Sequence, residues 1–185
     1  PRAMSHSWLF TGPPGSGRSL AAIDFAAALM CTDPEEPGCG RCEACRAVLE
    51  TKQHTDLVLV DPQEVIIPVD TVREVIGRAA SLPTVAPWRV VIFNNADRLN
   101  NNGANALLKT VEEPPARTVI IMCAPSDAPE DFSQTLRSRC RHLYIPSPSV
   151  ESITAQLVSE GASDHDAHLA ALTSVSYTHL TLPTT

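Results

Sequence analysis

The chain has 185 residues, a formal net charge of −7, 43% hydrophobic residues and 4% aromatic residues. Its length suits one domain, or one domain and a fragment, and aliphatic side chains must fill the core because aromatic ones are few. The acidic balance disfavours a protein that grips DNA with its own basic surface, and no apolar run approaches the roughly 20 residues that span a bilayer. The sequence has no signal-type segment, so we expect a cytoplasmic protein with no membrane partner. In that compartment the six cysteines are expected to bind metal or to stay free thiols.

The first motif is a phosphate-binding loop between an apolar strand at residues 8–11 and an alanine-rich helix from residue 20. It fits the pattern G-x-x-x-x-G-K-[ST] at every specified position except the lysine, where Arg18 stands. Glycines let backbone N–H groups turn toward a phosphate, and the helix N-terminus adds partial positive charge. We therefore expect ATP or ADP to bind the loop residues Gly12, Pro13, Pro14, Gly15, Ser16, Gly17, Arg18 and Ser19. The alternative is a glycine-rich turn that only caps the helix.

Four cysteines with the spacing C-x7-C-x2-C-x2-C follow this helix: Cys31, Cys39, Cys42 and Cys45. Four thiolates can surround one Zn²⁺ tetrahedrally, and the two short spacings let neighbouring ligands share a tight turn. We expect a structural zinc site whose closed coordination leaves no catalytic role. A disulfide pair, a redox Cys-x-x-Cys and an iron–sulfur site remain the alternatives.

Strands and helices alternate along most of the chain. Predicted strands lie at residues 8–11, 56–61, 88–93, 118–123 and 142–145, and residues 63–69 are typical of a hairpin or short strand. Predicted helices lie at residues 20–31, 42–52, 71–82 with Asp70 as N-cap, 101–113, within 127–137, and 150–159. The alternation predicts an α/β fold with five parallel strands and helices on both faces. Residues 175–185 match nothing before them, and we expect a non-native tail on a fragment of a longer protein.

The strand at residues 88–93 ends in Asn94 and Asn95, where a P-loop ATPase needs carboxylates to hold Mg²⁺ and activate water. Amide side chains carry no charge and cannot act as a general base. Arg18 keeps a positive charge but is bulkier than lysine. Phosphate binding is therefore expected, whereas Mg²⁺ binding and hydrolysis are not. The alternative for Asn94 and Asn95 is a plain exit from strand to turn.

Four features together resemble the delta-prime subunits of the bacterial DNA polymerase III clamp loader, of actinobacterial type, in the AAA+ clamp-loader family. They are the P-loop with Arg18, the cysteine module directly after the P-loop helix, the stretch 105–115 and the triplet Ser138-Arg139-Cys140. The third matches the family's NALLKTLEEPP at all but one position, and the fourth is the clamp-loader SRC motif. The likeness covers residues 5–172.

The resemblance implies an AAA+ P-loop NTPase core at residues 1–148 with a zinc module at 31–45, and the beginning of a helical lid at 149–174. It implies a hetero-pentamer with gamma/tau ATPase and delta subunits, which loads the sliding clamp onto primed DNA as part of a DNA-directed DNA polymerase (nucleotidyltransferase) holoenzyme. Arg139 is then expected to act as an arginine finger in the ATP site of a neighbouring subunit, while this chain has no ATPase of its own. The glutamates Glu112 and Glu113 are expected to belong to a rigid turn and not to be catalytic.

Three alternatives stay open at the level of sequence. Arg139 is also compatible with a surface arginine that pairs with a local carboxylate. The chain is also compatible with a catalytically active AAA+ ATPase of the gamma/tau type. A zinc-dependent nucleic-acid-binding module is disfavoured by the acidic charge.

Overall fold

The computed structural model describes residues 5–62 and 64–179, with side chains through residue 172. Within these residues, one sheet of five parallel strands has the order β2-β3-β4-β1-β5. The strands are β1 (Ser7–Thr11), β2 (Leu57–Val60), β3 (Arg89–Phe93), β4 (Thr118–Ala124) and β5 (Arg141–Tyr144). The parallel five-stranded sheet expected from the sequence is confirmed.

Helices of the described residues lie on both faces of this sheet, and two more follow its last strand. They are α1 (Arg18–Met30), α2 (Glu43–Arg46), α3 (Val69–Ala79), α4 (Asn101–Glu112), α5 (Gln134–Arg137), α6 (Val150–Ser159) and α7 (Asp164–His179). Helix α2 continues into a π-helical turn, Ala47–Thr51, and α6 and α7 pack as a helical hairpin. Helix α7 extends past the expected start of the non-native tail, and residues 180–185 of that tail lie outside the described residues. None of the described helices has the length and apolar character needed to cross a membrane.

The core has two layers because successive strand residues point to opposite faces of the sheet. Phe10, Ile92 and Ile121 pack under α1 and the π-helical turn. Leu9 and Met122 pack on the other face, under α3, α4 and α5. The near-continuous burial of β3 and β4 is typical of parallel strands that are covered on both sides.

The segment between β2 and α3 differs from the expectation. In place of a hairpin or strand at residues 63–69, Ile67 makes one isolated parallel bridge with Leu99, and Gln63 lies outside the described residues. Helix α3 starts at Val69, two residues before the predicted start at residue 71, and Pro68 and not Asp70 lies at the N-cap position. Proline suits a helix start because its fixed φ is compatible with that position, and because the N–H that it lacks would have no hydrogen-bond partner there. Asp70 instead lies in the first turn.

A buried ion pair joins the starts of β2 and β3. The Asp56 side chain is fully buried, Arg89 is 8% exposed, and Arg89 Nη2 lies 3.0 Å from Asp56 Oδ1. The backbone N–H groups of Thr84, Val85 and Ala86 donate to the same carboxylate at 2.8–2.9 Å. Burial opposes ionisation of Asp56, but these donors and the guanidinium hold its pKa well below the ordinary value.

The sheet has two distinct edges, because all its strands run in one direction. We call the edge where the strands end the carboxyl edge; the P-loop follows β1 there, and Asn94 follows β3. We call the other edge, where the strands begin, the amino edge. Arg139 lies two residues before β5 at the amino edge, and helix α4 runs back to this edge and ends at Glu112.

Candidate nucleotide and metal sites

The P-loop is wedged between the ends of β4 and β5. The Gly12 N–H donates to the carbonyls of Ala124 and Pro125 at 3.3 and 3.2 Å. A Cβ at Gly12 would collide with the Ile145 carbonyl oxygen, so the backbone approach requires glycine. Gly17 has φ +81°, a left-handed conformation that also favours glycine, and it caps the start of α1. The sequence motif therefore corresponds to a tightly specified loop at the carboxyl edge.

Two polar side-chain atoms of the loop are buried and have no hydrogen-bond partner among the described residues: Ser16 Oγ and Arg18 Nε. Both atoms can donate to an anion, and a buried donor left unpaired is costly. The residues present therefore fit a phosphate group. Arg18 Nη1, however, donates to the Gly12 carbonyl at 2.7 Å, so part of the guanidinium is already committed to the loop itself.

The carboxyl end of β3 presents amide side chains. Asn94 is buried, its N–H donates to the Val60 carbonyl at 2.8 Å, and its Oδ1 has no partner among the described residues. Asn95 has φ +52°, a conformation that asparagine adopts more readily than most residues, and Asp97 lies exposed in the following turn. Mg²⁺ sites are usually built on carboxylates, which this strand end does not offer. The conformation of Asn95 also agrees with a plain turn.

Arg139 is exposed and paired within its own chain. Its Nε donates to Oε1 of Glu112, and its Nη1 donates to the Thr135 carbonyl at 2.8 Å and to Ser138 Oγ at 3.1 Å. Its third nitrogen, Nη2, makes no hydrogen bond with the described part of the chain. Cys140 beside it is buried, and burial raises the pKa of the Cys140 thiol to about 12.

The P-loop and Arg139 lie at opposite edges of the sheet. Strand β1 has five residues, which at about 3.3 Å per residue separate the two edges by roughly 15 Å. Arg139 therefore cannot act on a phosphate bound at its own P-loop. Any phosphate that it meets at the amino edge must belong to another molecule.

The two arginines on either side of Arg139 are engaged within the chain. Arg137 Nε donates to Asp127 at 3.0 Å, and this hydrogen bond lowers the pKa of Asp127. Arg137 Nη2 lies 3.2 Å from Nδ1 of His142, and Arg141 lies over the Trp8 ring at 5.2 Å. These contacts give both arginines a structural role that their position in the sequence did not reveal.

The four predicted metal ligands come together in one cluster. All four Sγ atoms lie within 4.8 Å of one another, and Cys31 Sγ is 3.7 Å from Cys39 Sγ and 3.9 Å from Cys42 Sγ. A tetrahedral zinc site with Zn–S bonds of 2.3 Å has sulfur–sulfur distances of about 3.8 Å. No disulfide bond joins any two of these four cysteines. The cluster could hold a metal ion, and its geometry fits a tetrahedral one.

Backbone amides support the thiolate form of part of this cluster. The Cys42 and Cys45 N–H groups donate to the sulfurs of Cys39 and Cys42, each at 3.4 Å. Hydrogen bonds from Thr32 and Cys45 lower the pKa of Cys42 to about 5. Burial raises the pKa of Cys45 to about 12, and Cys45 Sγ contacts the carbonyl of Ala27 in α1. A bound metal cation would offset the charge of these thiolates and would favour loss of the proton from Cys45 as well.

The strand order, with a P-loop after β1 and helices on both faces, defines a P-loop core of the AAA+ class. A solved DNA polymerase III gamma subunit-related protein from Thermotoga maritima shares this fold with a TM-score of 0.58 and 20% identity, covering 86% of this chain and 49% of that one. Over residues 2–149 the chain matches the family model described as DNA polymerase III, delta subunit, and it belongs to that family.

Two curated relatives support this membership. The chain is 35% identical to the DNA polymerase III subunit delta' of Pseudomonas aeruginosa, over 85% of this chain and 49% of the relative. It is 34% identical to the DNA polymerase III subunit delta' of Escherichia coli, over 90% of this chain and 50% of the relative. The chain thus spans about half the length of these relatives. The resemblance inferred from the P-loop, the cysteines and two short motifs is confirmed at the level of the family.

Proposed function

We propose that this chain is the AAA+ part of a clamp-loader subunit that hydrolyses no ATP and supplies Arg139 to a neighbouring ATPase subunit. The observation that carries the proposal is the exposed position of Arg139 at the amino edge, opposite its own P-loop. The proposed assembly is a cytoplasmic hetero-pentamer with gamma/tau and delta subunits, which loads the sliding clamp onto primed DNA. Residues 1–148 form the core and residues 149–174 begin the helical lid in this proposal.

The chemistry of ATP hydrolysis gives Arg139 its role. Negative charge is redistributed over the γ-phosphate oxygens in the transition state, and a guanidinium aimed at them stabilises that charge. When the guanidinium comes from another subunit, hydrolysis becomes conditional on correct assembly. This arrangement needs no ATPase activity from the subunit that provides the arginine.

The proposal predicts that the purified full-length subunit turns over no ATP on its own, because Asn94 and Asn95 replace the acids that would bind Mg²⁺ and activate water. Nucleotide binding at the P-loop is expected at most, and a fluorescent ATP analogue measures it. A steady-state phosphate-release assay measures turnover. Turnover that disappears in the Ser19→Ala variant would instead support an active ATPase of the gamma/tau type and reject the proposal.

We further propose that the metal of the cysteine cluster is Zn²⁺, with Cys31, Cys39, Cys42 and Cys45 as its four ligands. The sulfur–sulfur distances of 3.7 and 3.9 Å support this assignment. Four protein ligands close the coordination, so the ion stabilises the module and catalyses nothing. The module is attached to the core through Cys45, which is fully buried and contacts the Ala27 carbonyl of α1.

Metal removal is expected to unfold the module and leave the sheet folded. Elemental analysis should find one zinc ion per chain, and chelation or the Cys42→Ser substitution should remove it. Hydrogen exchange should then lose protection at residues 31–45 and keep it in β3 and β4, because the sheet core is apolar and metal-independent. Zinc added back should restore protection to the unmutated chain. Global unfolding by chelator alone, or full protection without metal, would contradict this role.

A further inference from the structure

We infer that Glu112 is a positioning residue for Arg139, an inference that rests on the proposed function of Arg139. The Glu112 carboxylate pairs with Nε of Arg139, across 27 positions of sequence. Both side chains are partly exposed, 46% for Glu112 and 35% for Arg139, so the pair lies at the surface where a neighbouring subunit can reach it.

The pairing leaves part of the guanidinium for another ligand. Glu112 takes Nε, and the Thr135 carbonyl and Ser138 Oγ take Nη1. Nη2 makes no hydrogen bond within the described part of the chain, so it remains available to an anion from outside. A planar guanidinium that is held at two nitrogens has its third nitrogen fixed in direction.

Glu112 is itself held in place by the core. It is the last residue of α4, and Val111 just before it is buried. The Val111 carbonyl accepts a hydrogen bond from Ser7 Oγ of β1 at 3.1 Å, which fixes the end of α4 to the sheet. A carboxylate that directs another residue is effective only when its own backbone is rigid, and this one meets that condition.

The location of Glu112 would otherwise be unfavourable for an acid. The C-terminus of a helix carries partial negative charge, which disfavours a carboxylate and favours a cation. The guanidinium of Arg139 supplies that cation. The neighbouring Glu113 offers a matched comparison, because it is exposed, has the same chemistry and pairs with no cation among the described residues.

The test uses the full-length subunit reconstituted with its ATPase partner subunits, and it measures kcat and KM for ATP. The Glu112→Gln complex is expected to lose between about 10-fold and 100-fold in kcat at the ATP site that Arg139 completes, with an unchanged KM, because a misdirected guanidinium lowers the rate and not ATP binding. The Glu113→Gln complex is expected to match the unmutated one. Adding Glu112→Gln to Arg139→Ala is expected to cause no further loss.

The outcomes separate this inference from the proposed function. If Arg139→Ala abolishes turnover while Glu112→Gln leaves it unchanged, Glu112 does not position Arg139, and the arginine-finger proposal stands. If Arg139→Ala leaves turnover unchanged, the proposed function itself fails. A Glu112→Gln effect that persists in full in the Arg139→Ala background, or a Glu112→Gln subunit that cannot assemble by gel filtration, also overturns the inference.

Discussion

Replacing Arg139 by alanine in the full-length subunit is expected to lower ATP turnover at the neighbouring site that Arg139 completes by about 10³-fold or more. The guanidinium is exposed at the amino edge, with Nη2 free of hydrogen bonds in the described chain, and it cannot reach its own P-loop. Its removal should therefore affect the neighbour's transition state and leave this subunit folded. Phosphate release by the complex at saturating ATP is the measurement, with assembly checked by gel filtration.

The matched control for this experiment is Arg141→Ala. Arg141 carries the same charge two positions away, but it stacks over Trp8 in its own chain. The Arg141→Ala complex should hydrolyse ATP at the unmutated rate. Normal ATP turnover by an assembled Arg139→Ala complex would show that Arg139 is only a surface arginine that pairs with Glu112.

Replacing Asp56 by asparagine is expected to lower the free energy of unfolding by about 3–5 kcal/mol at neutral pH. Asparagine is nearly isosteric, but it leaves the buried Arg89 guanidinium without its counter-charge and turns an acceptor of three backbone N–H groups into a partial donor. Denaturant unfolding of the full-length protein, followed by the ellipticity of its helices, measures the loss. An essentially unchanged free energy of unfolding would show that the charge of the Asp56–Arg89 ion pair does not contribute to stability.

The stability of the unmutated protein is also expected to depend on pH through Asp56. Its pKa in the folded state lies well below the unfolded value of about 3.9, so the ion pair contributes fully above that value. The contribution is lost progressively as the pH falls below about 4 toward the folded pKa. The difference in unfolding free energy between the unmutated protein and Asp56→Asn should therefore shrink in acid.

The control for both measurements is Asp70→Asn. Asp70 also pairs with an arginine, Arg73, at 3.0 Å, but both side chains are largely exposed. Exposed ion pairs contribute little because water and salt screen them. The Asp70→Asn variant should therefore unfold like the unmutated protein at every pH, and an equal loss in both variants would point to a general charge effect.

The features that the sequence predicts well are local. Apolar runs at residues 57–60, 89–93 and 118–124 can hardly be anything but buried strands, and their observed bounds lie within one residue of the predicted ones. The four cysteines lie within 15 consecutive positions, so their spacing alone brings their sulfurs together. The P-loop motif also predicts its own turn, because its backbone conformation has room only for glycine at Gly12 and favours glycine at Gly17.

The features that the sequence does not predict depend on contacts between distant residues. The Asp56 carboxylate accepts hydrogen bonds from residues 84–86, about 30 positions later in the chain, and no local sequence pattern predicts these contacts. Glu112 lies in a recognisable motif, yet its partner Arg139 becomes visible only once α4 and α5 are placed side by side. The prediction that Asp70 caps α3 was wrong for a different reason: the helix already begins after Pro68, two residues before Asp70.

The close approach of Gly12 to Ile145 mechanically links two parts of the molecule that are far apart in sequence. The Ile145 N–H donates to the Thr11 carbonyl at 2.7 Å, and its own carbonyl fills the space where a side chain at position 12 would lie. Only residues 146–149 separate Ile145 from helix α6. The P-loop and the segment that leads into the α6–α7 hairpin are therefore packed against each other, and a side chain at position 12 would require the backbone at Ile145 to shift.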